Sequence, residues 1–456
     1  MTTTTTATSW DLVDKIIDEY HSLLREPEVM EAKAVAAFRQ QMHDQHAIFG
    51  GRLLSPFLRP NFLTRSQFRF VQDTLKQMMD VVAIVERRAL EDPGFVKEMA
   101  LLPGEEELLR IEPGLRRFSA KSRMDTFLTR DSFKFVEYNA ESPAGIAYGD
   151  ILQNIFYDLE PTRKLRERYP IAKAHSRQAV LNTLLSAWNE WGGGTNKPRI
   201  AIVDYLNLPT YDEFVLFKEF FESQGHEATI ADPRTLEYRG GKLYANDMQI
   251  DILYRRVLVN ELLDHKDECK AMLDAVRDRA VCMVNTFRVK LLHKKMLFAV
   301  LWSPGMQSFF NDAQKALIRQ HVPWTWRVAD TKASFEGKDV DLLALARSEQ
   351  QRMVLKPNDE YGGKGVIIGW EQTPEQWETA LKAALDYPHV IQERVPVGRA
   401  DFPDLDKNVA PRIVDLDPFI LGGEVTGFLT RLSDTSLCNV TSGGGQVPTF
   451  IVEDES

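Results

Sequence analysis

Cysteine is scarce in this chain. The three present in 456 residues, Cys269, Cys282 and Cys438, are widely spaced and odd in number. That rules out a disulfide framework and a Cys/His zinc motif and suits a reducing compartment, so the expected location is cytoplasmic. Long apolar runs are missing too: nothing approaches the roughly 20 residues of a membrane-spanning helix. The opening MTTTTTATSW has neither a basic region nor an apolar core, so it does not read as a signal peptide. No long basic run exists, and the net charge of -10 is spread along the chain, which argues against nucleic acid as the main partner. Two nucleotide-binding signatures are also absent. A GxxxxGK followed by Ser or Thr occurs nowhere, and no GxGxxG follows the first strand of the β-α-β region near residue 200. No internal repeat is visible, and the threonine-rich start is the one low-complexity segment.

What remains is a globular composition. With 44% hydrophobic and 27% charged residues the chain can bury a large core, and its length suggests two or three domains. Two stretches far apart carry the chemistry. The first, RMVLKPNDEYGGKGVIIGW over residues 352–370, reads as strand, glycine loop, strand. Gly362, Gly363 and Gly365 permit positive φ and close backbone approach, while Lys356 and Lys364 can bring two ammonium groups to one bound anion. Two cations beside flexible amides suggest a polyphosphate. The second stretch, FVEYNAESPAGIAY over residues 135–148, begins as a strand whose period of two puts Glu137 and Asn139 on one face. Both side-chain oxygens can then reach one hard cation, with Glu360 as a third ligand. Oxygen-only ligands fit Mg²⁺ or Mn²⁺, whereas zinc would want Cys or His.

At these residues the chain resembles the circularly permuted ATP-grasp ligases, specifically eukaryotic-type glutathione synthetases and, more loosely, glutathionylspermidine synthetases. Their pattern is an Arg-x-Asp strand, then Glu-x-Asn, then a Lys-Pro-x-x-Glu-x-Gly-Gly loop. It stands here, in the same order, as Arg123-Met124-Asp125, Glu137-Tyr138-Asn139 and the run from Lys356 and Pro357 through Glu360 to Gly362 and Gly363. The resemblance implies ATP and Mg²⁺ as cofactors, with Glu137, Asn139 and Glu360 as metal ligands and Arg123 as the catalytic guanidinium between the attacked carboxylate and the transferred phosphoryl group. It implies nucleotide contacts from Lys295, Lys356, Asn358, Tyr361, Gly362, Gly363, Lys364 and Gly365. The hinge Gln392, Glu393, Arg394 and Val395 and the acidic Asp415 would meet the nucleotide too, while Ser142, Arg256 and Arg431 fall at substrate-binding positions. Where the family has a lysine two residues after Arg431, this chain has Ser433, and its glycine-containing lid is replaced by the loop 441–447.

The expected fold class is α/β (α+β): a circularly permuted ATP-grasp fold with a small β-α-β substrate domain. Residues 1–9 read as a disordered tail, 10–195 as the N-terminal helical and strand part of the core, 196–285 as the substrate domain and 286–456 as the C-terminal part with the glycine loops. Ser9 is the expected cap of a first helix, and helices are expected over 29–42 and 66–90, the latter with an apolar stripe of Phe68, Val71, Leu75, Met78, Val81 and Val82. Strands over 123–128 and 134–139 form a hairpin that sets Arg123 and Asp125 near Glu137 and Asn139. Residues 199–204, 211–224 and 227–232 read as strand, helix, strand, and 261–277 and 284–302 as helices, the second carrying Arg288, Lys290, Lys294 and Lys295. Thr373 caps a helix to residue 385; strands follow over 389–395, 414–421 and 426–432.

The leading expectation is thus a carbon–nitrogen ligase that joins an amino acid or short peptide to an amine through an acyl phosphate. Its partners would be small-molecule carboxylate and amine substrates, with no nucleic acid, no membrane, and a homodimer left open. The alternatives are a nucleotide-binding protein without catalysis and a phosphotransferase on the same fold.

Overall fold

The computed structural model describes residues 3–436, 438 and 444–454, with side chains from residue 9 onward. Its centre is a six-stranded antiparallel sheet. Gly445–Val447, Glu424–Ser433, Val409–Leu421, Lys121–Leu128 and Phe133–Asn139 are neighbours in that order, and Gly398–Pro403 pairs with the first half of Val409–Leu421. The hairpin read from the sequence is its edge: Arg123 lies opposite Asn139 and Asp125 opposite Glu137, with a bulge after Asp125. Asp415 lies opposite Arg431 on the neighbouring pair. Period two therefore gathers the charged residues of four strands onto one face.

The helix Arg65–Glu91 packs on the same body through Val71, Leu75, Met78, Val81, Val82 and Val85, as its apolar stripe requires. Thr64 and Gln67 close its N-terminus as a reciprocal capping box. A second, parallel sheet holds Cys282–Val284, Ile252–Arg255, Ile200–Val203 and Ala228–Ala231 in that order, with Tyr211–Ser223 as the crossover helix. Ile200–Val203 and Ile252–Arg255 are buried at every position, which is why they read as unbroken apolar runs instead of alternating ones. The third unit is the antiparallel set Thr325–Arg327, His389–Glu393, Met353–Pro357 and Ile367–Ile368, backed by the helix Pro374–Asp386, which Thr373 caps as expected. It carries the glycine loop between its last two strands.

Three expectations need correction. The first helix runs Thr3–Arg25, so it begins inside the tract read as a tail; Ser9 is within the helix, where its hydroxyl meets Asp454 at 3.0 Å instead of capping. Residues 284–302 are not one helix. Cys282–Val284 pairs in parallel with Ile252–Tyr254, and Val289–His293 and Met296–Trp302 are separate short helices broken at Lys294, whose ψ is 133°. Only Val284 of the expected stretch belongs to the strand; the rest is helical but interrupted, since Lys294 and the residues just before Val289 stand outside the helices. Residues 261–277 likewise divide into Val259–Asp264 and Lys270–Arg277. The loop 441–447 lies mostly outside the described residues; its end, Gly445–Val447, is the outermost strand of the central sheet. No helix among the described residues is long and apolar enough to cross a membrane.

Candidate active site

The three sheets enclose a cavity of about 660 Å³. Fifteen of the residues singled out from the sequence line it: Arg123, Glu137, Asn139, Ser142, Arg256, Lys356, Tyr361, Gly362, Gly363, Gln392, Glu393, Arg394, Val395, Asp415 and Arg431. Lys295, Asn358, Glu360, Lys364 and Gly365 do not. The two stretches remote in sequence thus share one space, and they touch: the Lys356 Nζ donates to the carbonyl oxygen of Val136 at 3.0 Å and to Gln392 Oε1 at 2.6 Å. Burial pushes the Lys356 ammonium down to about 8, against the pull of Glu137. Lys295 bridges the same two stretches from the side, with its Nζ 3.2 Å from Glu137 Oε1 and donating to the backbone oxygen of Glu360. Burial alone would raise the Glu137 carboxyl, but Lys295 and then Lys356 outweigh it and hold it below its usual range.

The floor of the cavity is a knot of carboxylates and guanidiniums. Arg123 Nε lies 2.8 Å from Asp125 Oδ1 and its Nη2 3.2 Å from Oδ2. Arg431 Nη2 lies 2.7 Å from Asp125, 2.5 Å from Asp415 and 2.9 Å from Asp417. Asp417 was not anticipated. The signal was present as Asp415-Leu416-Asp417, two acids on one face of an otherwise apolar strand. Burial is the largest influence on all three acids. Arg123 and Arg431 overcome it at Asp125, which stays well below the carboxylate range, whereas Asp415 is raised and Asp417 raised well above it.

These three carboxylates lie close enough to surround a cation, their oxygens within 4.8 Å of one another. Arg431 already threads them, so a dication there would have to displace a guanidinium. Glu137 and Asn139 fit the sequence expectation better. They share a strand, line the cavity and offer oxygens, and Asn139 spends its amide nitrogen on Asp125 at 2.9 Å, which leaves the amide oxygen for another partner. Glu360 stands apart, its carboxylate 3.2 Å from the exposed Lys364.

The glycine loop is built from left-handed backbone. Gly362, Gly363 and Gly365 have φ of 63°, 77° and 71°. A Cβ on Gly362 would meet nothing within 4 Å, so the backbone conformation alone demands glycine there. Asn358 serves the fold: buried, it accepts from the Met296 N–H at 2.9 Å and donates to the carbonyls of Met99 and Ala100. Behind the loop root lies a second charge cluster that sequence reasoning missed. Lys290 and Lys294 sit 2.7 and 2.9 Å from Asp359, Lys294 is 2.8 Å from Glu105, Lys290 is 3.3 Å from Glu141, and Arg255 is 2.9 Å from Glu141. Every one of these side chains is at most 2% exposed.

At the parallel-sheet end, Arg256 pairs with Glu213 at 3.0 Å and donates to the Pro143 carbonyl. Glu213 in turn accepts from the N–H groups of Gly145 and Ala147, which fixes the loop carrying Ser142. The Ser142 Oγ is buried without a hydrogen-bond partner among the described residues. Asp204, Glu261 and His293 also line this end, none foreseen from sequence, and burial lowers the His293 imidazole to about 4. At the opposite end Val354, Ile368 and Trp370 form apolar walls beside the hinge 392–395, with the Arg394 guanidinium 4.1 Å from the Trp370 ring centre.

A sequence model of the family described as circularly permuted ATP-grasp type 2 matches residues 120–433. An uncharacterized protein of Mycobacterium leprae is 23% identical over 347 residues, 70% of this chain and 57% of its own length. A protein of Frankia alni, provisionally named glutamate–cysteine ligase 2-3, is 26% identical over 215 residues, 44% of this chain and 23% of its own. The chain thus spans between about a quarter and three fifths of these curated relatives. Among solved structures, a glutathione synthetase-like effector of Globodera pallida in its apo form superposes with a TM-score of 0.58 at 14% identity, covering 94% of this chain and 99% of that one. At such identity the likeness concerns the fold.

Proposed function

The chain belongs to the circularly permuted ATP-grasp type 2 family, and from that premise we propose that it is an ATP- and Mg²⁺-dependent ligase. It would join the carboxylate of an amino acid or short peptide to an amine, through an acyl phosphate. The observation that carries this reading is the Lys356–Val136 contact, which brings the glycine loop and the Glu137–Asn139 strand to one cavity although 220 residues separate them. The provisional names of the Frankia relatives support the reaction class.

Glu137 and Asn139 would hold Mg²⁺, which when bound neutralises phosphate charge and orients the terminal phosphate. The chain's own groups do the rest. Lys356, still mostly protonated at pH 7, offers an ammonium to the phosphates in the cavity that Gly362 and Gly363 also line. The apolar walls and the hinge give a flat base a slot. Arg123, fixed by Asp125 and by the Ala144 carbonyl at 3.1 Å, presents a planar guanidinium to two oxyanions at once, the substrate carboxylate and the phosphoryl group. Holding both reactants in such a pocket is worth up to roughly 7–11 kcal/mol of barrier. No nucleophilic side chain is needed.

Calorimetry with Mg·ATP, followed by a screen of amino acids and polyamines for ADP release, tests the reading. Glu137→Gln and Lys356→Ala should each abolish turnover with unchanged circular dichroism. Failure of the wild-type protein to bind Mg·ATP would end the proposal, and near-normal turnover in both variants would discredit the site. Ser433, buried where the family has lysine, favours a second reading as a nucleotide-binding protein without catalysis. ADP release that depends on one added substrate excludes it.

A further inference from the structure

The buried carboxylates of this protein follow one rule with one exception. Among the described residues, every other buried Asp or Glu has a Lys or Arg nitrogen within 4.0 Å, whether at the knot, behind the glycine loop or on the periphery. Asp204 has none. It is 6% exposed, lines the cavity, and receives only the N–H of its neighbour Tyr205 at 2.8 Å. It stands just past the end of Ile200–Val203, at the carboxyl edge of the parallel sheet, where open α/β sheets bind their ligands.

We propose that Asp204, with Glu261 beside it, is a specificity determinant that binds a protonated primary amino group of the substrate at the parallel-sheet end of the cavity. This rests on the cavity being the substrate site of a ligase. The charges around Asp204 leave that role open. Arg255 and Arg256, from the next strand, are committed to Glu141 and Glu213. Lys121, from the central sheet, has its Nζ 4.6 Å from the Tyr254 ring centre with no hydrogen bond among the described residues, and burial holds it well below the usual lysine range. Glu261, from Val259–Asp264, lines the same end of the cavity, takes only the Leu258 N–H at 3.4 Å and is itself raised by burial. The phenol of Tyr361, on the glycine loop, is raised first by its own burial and then by Glu261, with Glu360 and Asp204 adding smaller pushes against Lys364. Arg256 and Arg255 act on Asp204, and Lys290 on Glu261, only from beyond ion-pair distance, so among the described residues neither carboxylate at the sheet end has a basic partner within 4.0 Å. A ligand ammonium supplies the missing charge and three hydrogen-bond donors.

The amino group could come from an α-amino acid or a polyamine, and titration calorimetry on the full chain separates them. L-Glutamate and 1,4-diaminobutane are the probes; N-acetyl-L-glutamate and 1,4-butanediol lack the ammonium. Burial pushes Asp204 to about 7, so pairing at pH 7 should release part of a proton, read from the dependence of heat on buffer ionisation enthalpy. One probe should bind with proton release, and its counterpart at least about tenfold more weakly. Asp204→Asn, which keeps the Tyr205 hydrogen bond, should abolish the release and weaken binding about tenfold or more, Glu261→Gln less, with Mg·ATP binding unchanged in both. Glutamate alone assigns an α-amino acid, the diamine alone a polyamine. Equal binding of the ammonium-free compounds, unchanged binding by Asp204→Asn, the same proton release with Mg²⁺ alone, or no binding of either probe by protein that still binds Mg·ATP overturns the proposal. Loss of Mg·ATP binding in the wild type instead overturns the ligase reading.

Discussion

Two buried charge clusters flank the glycine loop, and they differ in balance. Behind the loop root, Lys290, Lys294 and Arg255 face Glu105, Glu141 and Asp359, three charges against three, sealed from the cavity. At the cavity floor, Asp125 and Asp415, with Asp417 fully buried beneath them, share Arg123 and Arg431, three against two. Ionisation follows the count. Behind the loop, burial raises Glu141 and Asp359 but the lysines and Arg255 overcome it, leaving Glu141 at about 2 and Asp359 lowered; only Glu105 remains raised. On the floor the surplus acid shows as raised Asp415 and Asp417. A balanced sealed cluster holds segments together, while an unbalanced one open to a cavity can exchange partners with a ligand.

The sharpest test of that division is Asp359→Asn. It leaves two buried ammoniums with one carboxylate fewer and should cost about 3–5 kcal/mol, read from urea unfolding. A loss below about 1 kcal/mol would mean that the cluster is not what fixes the loop root. On the cavity side the expected signature is the reverse. Arg123→Lys keeps the charge but not the planar fork, so turnover should fall about a hundredfold or more while the unfolding midpoint moves little. A large stability loss with turnover intact would place Arg123 with the structural cluster.

How far the sequence reveals this contrast depends on how local each signal is. Arg123, Asp125, Glu137 and Asn139 are legible because two adjacent strands of period two fix their shared face without reference to the rest of the chain. The glycine loop is legible because positive φ is written in its residue types. The rear cluster is not. Lys290 and Lys294 look like a solvated helical face, and they are buried because Glu105, Glu141 and Asp359, from three distant segments, close over them. Asp204 was hidden for the opposite reason: an acid after a buried strand is ordinary, and what marks it is the absence of a partner, which only the assembled structure reveals. The helix expected over 284–302 failed because the chain leaves a strand at Val284 and turns extended at Lys294, where buried ion pairs to Glu105 and Asp359 hold the side chain, a constraint that local periodicity does not carry.

The finest distinction between the clusters is in their response to pH. Asp417, raised by burial, holds a proton in the folded protein at pH values where the unfolded chain has lost it. A carboxyl shifted that way favours folding at low pH, and its contribution declines as pH rises from the unfolded value, about 3.9, toward the folded one. Asp417→Asn keeps an acceptor for the Thr126 N–H, which Asp417 Oδ1 now receives at 3.0 Å, and removes the titration. The variant should therefore gain on the wild type as pH climbs above about 4, by a modest margin visible in melting temperatures measured from pH 4 to 8. Asp359 shifts the other way, so the stability it provides is present above its unfolded value and is lost only as pH falls through the lower folded one. If the wild type and Asp417→Asn keep a constant offset across that range, Asp417 is ionised like Asp359, and the floor of the cavity carries no surplus acid to exchange with a ligand.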